Sequence, residues 1–217
     1  MWLLRVPGVY RPQEDTWLLE SAVRSAAVPP GARVLDLCTG AGALAVAAAR
    51  AGAASVTALD LSRRALAVTW LNARARRLPV RVRRGDLRGD LPGGRFDVVL
   101  ANPPYVPCAP SGGRNFRWDA GIDGRDVLDP LCASAPDLLS EQGFLLLVQS
   151  AISDTDGTLV RLRDSGLKAS VVARRRVPFG PVLRGRTGYL ERHGLIEPGA
   201  RDEELVVIRA DRAERRA

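Results

Sequence analysis

Phe96-Asp97-Val98-Val99-Leu100, running into Ala101-Asn102-Pro103-Pro104-Tyr105, is the stretch that decides the fold. Its first half is a short apolar run and reads as a buried strand. An Asn followed by two prolines and an aromatic neither prolongs a strand nor opens an ordinary helical turn. Asn102 is therefore held rigidly at the C-terminal end of a strand, where open α/β sheets bind their ligands.

Upstream, Arg33-Val34-Leu35-Asp36-Leu37-Cys38 reads as a first strand, Thr39-Gly40-Ala41-Gly42 as a tight turn, and residues 43–51 as a helix. Ser55-Val56-Thr57-Ala58-Leu59-Asp60 predicts a second strand, with Ser62 capping a helix over residues 63–76 whose apolar face is Leu66, Trp70 and Leu71. The alternation over residues 80–84 predicts a third strand, closing on Gly85-Asp86-Leu87, and residues 96–101 form the fourth. Ahead of the first strand, helical spacing begins at Trp17, with capping side chains expected from the polar stretch Tyr10-Arg11-Pro12-Gln13-Glu14-Asp15-Thr16.

Downstream comes a Gly/Pro-rich loop over residues 107–123, long enough to be functional or mobile. A helix follows over residues 126–139, complicated by Pro130 and Pro136, and then a fully buried fifth strand over residues 143–148. A helix over residues 155–165, a strand over 169–177 and a last strand over 204–209 complete the chain, with residues 211–217 as a frayed tail. Strands alternating with helices predict a doubly wound α/β fold on a mostly parallel sheet.

The 217 residues suit a single domain, and no apolar run is long enough to span a membrane as a helix. Secretion is not expected from the start of the chain, and the three cysteines, Cys38, Cys108 and Cys132, suit neither a disulfide framework nor a zinc site. A reducing cytoplasm is the expected compartment. The net charge of +8 favours a nucleic-acid or ribonucleoprotein partner, although Lys168 is the only lysine and arginine-rich coding explains part of it. His193 stands alone, so no histidine-based triad or metal cluster can be built, and it reads as a surface loop residue.

Gly40-Ala41-Gly42-Ala43-Leu44-Ala45 satisfies a G-x-G-x-x-G/A cofactor pattern in the right context, and Asp60 lies where an acid binds ribose hydroxyls. These features alone fit NAD and S-adenosylmethionine equally. Asp36, inside the first strand, is a costly place for a carboxylate unless it anchors the turn or meets a cation. Asp86 can accept from an adenine amino group while Leu87 packs on the base. Three acids on one rim suit a sulfonium and an ammonium better than a pyrophosphate, which favours S-adenosylmethionine. The nitrogen of a planar amide or exocyclic amine is a poor nucleophile. Accepting its two N–H groups, on the Asn102 side-chain oxygen and the Pro103 carbonyl, enriches and aligns it, with Tyr105 as a flat wall. Such chemistry is orientation and desolvation, and needs no strong base or metal.

Asp36-Leu37-Cys38-Thr39-Gly40-Ala41-Gly42, Asp60, Gly85-Asp86-Leu87 and Asn102-Pro103-Pro104-Tyr105 together resemble class I S-adenosylmethionine-dependent methyltransferases of the amino type. More narrowly the chain resembles the HemK family, which methylates the glutamine of the Gly-Gly-Gln loop in class 1 peptide-chain release factors. Tyr10 through Thr16 is similar to that family's Tyr-x-Pro-x-Glu-Asp-Thr segment, and Trp118-Asp119-Ala120-Gly121-Ile122-Asp123-Gly124-Arg125 to its Gly-x-Asp-Gly segment. The resemblance implies a Rossmann-like, seven-stranded, mostly parallel sheet with helices on both faces and an antiparallel last strand. It implies one methyltransferase domain over residues 1–217, with 1–30 as a helical lead-in. The cofactor would be S-adenosylmethionine, leaving as S-adenosylhomocysteine. Its contacts would come from Glu14, Asp15, Thr16, Asp36, Cys38, Gly40, Gly42, Asp60, Leu61, Asp86, Leu87 and Asn102. Asn102, Pro103 and Tyr105 would be catalytic and, with Pro104, would line the acceptor site; no metal is implied.

Cys38 departs from the family, standing where many members have glycine. The family's helical N-terminal domain is also absent, so the chain resembles the short branch whose members work with a small partner protein; a homodimer is the other expectation. The basic segment of residues 174–192 reads as a solvated face or as a docking surface for ribosome-bound or nucleic-acid substrates. The implied partner is a release factor, and no membrane is involved. An amino-methyltransferase acting on a base of DNA or ribosomal RNA would use the same Asn-Pro-Pro-Tyr logic. A non-catalytic binding module that kept the fold is a third reading.

Overall fold

A computed structural model of the chain describes residues 2–110 and 115–212. The elements follow in order: α1 (Glu14–Ser25), β1 (Arg33–Leu37), α2 (Ala43–Arg50), β2 (Ser55–Asp60), α3 (Arg63–Arg74), β3 (Val80–Arg84), β4 (Phe96–Ala101), α4 (Leu128–Leu138), β5 (Leu139–Ser150), a 3-10 turn (Ala151–Ser153), α5 (Thr155–Asp164), β6 (Leu167–Pro178), α6 (Pro181–Arg184), α7 (Thr187–Arg192) and β7 (Asp202–Arg212). The seven strands form one sheet in the order β3-β2-β1-β4-β5-β7-β6. The strands from β1 to β5 pair in parallel, and β7 runs antiparallel to both β5 and β6. Helices α1, α2 and α3 touch in series, while α4 and α5 pack on one another.

Burial explains which strands are central. Val34, Leu35 and Leu37 of β1 and Val98, Leu100 and Ala101 of β4 have no measurable exposure, so both faces of these strands are covered. The strand order reverses between β1 and β4. Leu37 pairs with Ala101 there, which sets Cys38 and Asn102 side by side just beyond the two strand ends. That juxtaposition is the topological switch point at which such sheets bind ligands.

Several boundaries differ from the sequence reading. β6, 12 residues long, extends the expected 169–177 only slightly, to Leu167 and Pro178, whereas β7, 11 residues long, runs well beyond the expected 204–209. Their outer residues are polar because the last hairpin is partly solvated, while backbone pairing continues to Arg212. Asp211 and Arg212 therefore belong to a strand rather than a frayed tail; residues 213–217 of that tail, and residues 111–114 of the 107–123 loop, lie outside the described residues.

In α3, Trp70 and Leu71 are about half exposed, and the buried face is Ala65, Leu66, Val68, Thr69, Asn72 and Ala73. Small and polar residues face inward because α3 closes on the glycine turn. The Thr69 hydroxyl donates to the Gly40 carbonyl at 2.9 Å, and the Asn72 amide to the Ala41 carbonyl at 2.9 Å. The polar stretch before α1 also does not cap it: Gln13 stands at the N-cap, and its side chain bonds the Tyr10 hydroxyl at 3.3 Å and no N–H of the helix. Glu14 and Asp15 in the first turn meet the positive end of the helix dipole instead.

Candidate active site

A cavity of about 740 Å³ opens over the switch point. One half is walled by Gly40, Asp60, Leu61, Asp86 and Leu87, the other by the start of β7, the end of β6 and α6. Asn102 through Tyr105 lie between, continuing β4.

The first half is built by the glycine turn. Gly42 has φ +81°, and a Cβ there would come within 2.9 Å of the Thr69 side chain, so only glycine fits. Beneath the turn Asp36 is fully buried. One carboxylate oxygen accepts from the Thr39 hydroxyl at 2.5 Å and from the Ala45 N–H at 3.0 Å, and the other has no partner. Of the two roles open to Asp36, the structure gives it the anchoring one. Gly42 and Thr16 likewise stand behind the cavity wall rather than in it. Asp60 does line the cavity, accepting from the Gly40 N–H at 2.9 Å and the Ser62 N–H at 2.8 Å, one on each oxygen. Each oxygen keeps a lone pair for a ligand hydroxyl. Asp86 shares the wall with Arg88, which bonds it at 2.7 Å and holds its carboxyl below the usual range. Cys38 sits in the wall with φ +58°, a left-handed conformation that favours glycine. Burial, together with the Asp60, Asp36 and Asp86 charges, pushes its thiol well up, so it is no nucleophile.

The seat of Asn102 is built by three consecutive residues of α1. The Tyr10 and Tyr105 hydroxyls both donate to one oxygen of buried Asp15, at 2.6 and 3.0 Å. Thr16 follows, its N–H donating to the other Asp15 oxygen at 2.5 Å, and its hydroxyl oxygen accepts from the Asn102 side-chain N–H at 3.3 Å. Glu14 takes Arg175 from β6 at 2.8 Å. Glu-Asp-Thr thus joins helix, Asn-Pro-Pro-Tyr loop and hairpin through three adjacent side chains. With its nitrogen committed to Thr16, Asn102 presents its oxygen, which has no partner among the described residues.

The loop behind the motif is held equally firmly. Gly124, φ +81°, passes so close to Tyr105 that a Cβ would lie 2.3 Å from the Tyr105 carbonyl. That carbonyl accepts from the Ser153 hydroxyl at 2.5 Å. Buried Arg125 donates to the Ser153 and Asp154 carbonyls at 2.6 and 2.8 Å and to Asp129 at 2.7 Å. The basic segment takes part as well. Arg186 bonds Asp119 at 2.6 Å and the Pro107 carbonyl at 2.9 Å, and the Tyr189 hydroxyl donates to the Ile122 carbonyl at 2.9 Å. His193 closes α7, exposed, with Nδ1 2.9 Å from the Tyr189 carbonyl. Arg174 and Arg176 pair with Glu204 and Asp202. Much of the segment's charge is therefore internally matched.

Sequence reasoning missed Ser153, Thr69 and Glu203, and quoted Arg125 without giving it a role. Their parts depend on contacts across the fold, and nothing local marks them.

Burial pushes the Asp36 carboxyl up to about 7 and that of Glu203 up to about 6, and raises that of Asp60. An unfolded carboxylate titrates near 4, so the folded chain holds these protons more tightly and is most stable below that range. The stability is lost progressively as pH rises from about 4 through about 7. For Asp36 alone the loss is about 4 kcal/mol, or roughly 10 °C of thermal midpoint. We expect the midpoint of the ligand-free protein to fall between pH 5 and pH 8, measured by circular dichroism, and a midpoint that rises over that range would contradict the assignment.

No helix among the described residues is long and apolar enough to cross a membrane. The family described as "Methyltransferase small domain" matches residues 7–176. A protein of Methanocaldococcus jannaschii, provisionally named a protein N5-glutamine methyltransferase, is 31% identical over 181 residues, covering 82% of this chain and 90% of its own. The release factor glutamine methyltransferase of Deinococcus radiodurans is 40% identical over 148 residues, 64% of this chain and 52% of its own, so this chain spans about half that relative's length. Among solved structures, the E. cuniculi Mtq2–Trm112 complex, responsible for methylation of the eRF1 translation termination factor, superposes with a TM-score of 0.68 at 23% identity. The match covers 95% of this chain and 99% of that one. With a class I methyltransferase sheet, a glycine turn and an Asn-Pro-Pro-Tyr loop at its switch point, the chain belongs to the methyltransferase small-domain family and, within it, to the HemK family.

Proposed function

We propose that this chain transfers a methyl group from S-adenosylmethionine to the side-chain amide of a protein glutamine, the acceptor being the Gly-Gly-Gln loop of a peptide-chain release factor. One observation carries the reading. The Asn102 nitrogen is bonded to Thr16, so the Asn102 oxygen and the Pro103 carbonyl are left as two acceptors for the two N–H groups of a planar amide.

The residues present fit the cofactor. The cavity is roomy enough for a ligand of that size, and Asp60 in its wall, bonded by backbone N–H groups and not by an arginine among the described residues, suits hydroxyl donors, while Asp86 and Glu14 are already matched by Arg88 and Arg175. When bound, the cofactor supplies a methyl group on a sulfonium. Asn102 and Pro103 hold the amide flat and draw on its two N–H groups, which enriches the nitrogen that forms the new bond to carbon. Tyr105, fixed through Asp15, walls the amide on one side, and the nitrogen loses its extra proton to water. Orientation accounts for the acceleration.

The relatives' activities support the same acceptor, and a single methyltransferase domain over residues 1–217 is part of the proposal. A small partner protein, of the kind found with the E. cuniculi neighbour, or a second copy is part of the proposal, as is action in the cytoplasm. Labelled S-adenosylmethionine, offered with a Gly-Gly-Gln release factor, duplex DNA and ribosomal RNA side by side, tests the reading. Label is expected in the protein; label in nucleic acid alone would make the enzyme a base methyltransferase.

A further inference from the structure

Asp202-Glu203-Glu204 opens β7 with three acids, and Arg174-Arg175-Arg176 lies beside it on β6. Asp202 pairs with Arg176 at 3.4 Å and Glu204 with Arg174 at 2.5 Å, while Arg175, which lines the cavity, is taken by Glu14 at 2.8 Å. Strand geometry puts Glu203 on the opposite face from its two neighbours. There it lines the cavity beside Asp15 and Tyr105, with no arginine paired to it among the described residues. Its Oε2 is buried without a hydrogen-bond partner, while the Ser150 side chain bonds the carboxylate.

Position matters as much as isolation. The start of β7 pairs with the end of β5, where Ser150 faces Leu205, and β5 neighbours β4, whose continuation is Asn102. Glu203 therefore stands across the switch point from the glycine turn, on the acceptor side. A carboxylate already stripped of water gains more from an incoming N–H donor than a solvated one does. A peptide loop brings backbone N–H groups and no charge, whereas a nucleic acid brings phosphates that a carboxylate repels. We infer that Glu203 selects a peptide acceptor, taking hydrogen bonds from backbone N–H groups beside the target amide. The inference rests on the glutamine reading and adds what Asn102 alone does not supply, because a glutamine amide and an adenine amine present the same planar NH2.

The test is steady-state kinetics of the full chain with S-adenosylmethionine and a Gly-Gly-Gln release factor, comparing wild type, Glu203→Gln and Glu203→Asp. For Glu203→Gln, KM for the release factor should rise about tenfold with kcat and cofactor affinity little changed. Inhibition by a single-stranded oligonucleotide should strengthen, and Glu203→Asp should recover part of the KM. Thermal unfolding of Glu203→Gln should not fall, since the change removes a poorly satisfied buried charge. An unchanged KM would overturn the inference, as would a joint loss of kcat, cofactor affinity and stability. If wild type labels no release factor, the glutamine reading itself fails; if it does and KM stays put, only the role of Glu203 fails.

Discussion

Asn102→Ala should lower kcat for methyl transfer by about 10³-fold or more, about 4 kcal/mol of transition-state stabilisation, with cofactor Kd within about threefold of wild type. The asymmetry follows from where Asn102 stands. In the proposed mode its oxygen serves the acceptor, whereas the glycine turn, Asp60 and Asp86 wall the other half of the cavity. Its one side-chain hydrogen bond among the described residues, to Thr16, is 3.3 Å long, so deleting it should cost the fold no more than about 1 kcal/mol. Single-turnover rates beside calorimetric cofactor titration separate the two effects. A large loss of cofactor binding would mean that Asn102 belongs to the cofactor site instead.

Asp15→Ala should destabilise the folded protein by about 3 kcal/mol and also depress transfer. Buried Asp15 accepts from the Tyr10 and Tyr105 hydroxyls and from the Thr16 N–H and hydroxyl. Removing it leaves several buried donors unsatisfied and loosens the helix turn that seats Asn102. Urea unfolding measures the first effect, and kcat the second. Tyr105→Phe alone should cost about 1 kcal/mol, and the double variant less than the sum, because both remove the same bond. Strict additivity would show that Asp15 and Tyr105 act independently.

The two kinds of prediction draw on different parts of the chain. β1, β2, β4 and the buried part of β5 were legible because a strand covered on both faces needs an unbroken apolar run, as in Val98-Val99-Leu100. β7 runs past the expected 204–209 at both ends, since Asp202 and Glu203 look like loop residues until backbone pairing with Pro178 and Val177 is seen. The glycine turn and the Asn-Pro-Pro-Tyr loop were legible because their chemistry is local: backbone angles, missing N–H groups and fixed spacing. Asp36 was flagged correctly as a buried acid needing a reason, and the fold decided between anchor and ligand contact. Trp70 and Leu71 were assigned to the wrong face because hydrophobicity outranked the small residues that close approach to the turn requires. Glu203 carried no signal, as the middle acid of three reads as solvent-facing until strand alternation turns it inward.

The central claim is that Asn102 and Pro103 present two acceptors to the NH2 of a glutamine side chain. Its most direct measurement is fragmentation mass spectrometry of a release factor incubated with this chain and S-adenosylmethionine. The account expects one added methyl group, on the side-chain nitrogen of the Gly-Gly-Gln glutamine, and none when Asn102→Ala replaces the wild type. A methyl group on any other atom, or on the same nitrogen at undiminished rate with Asn102→Ala, would contradict it.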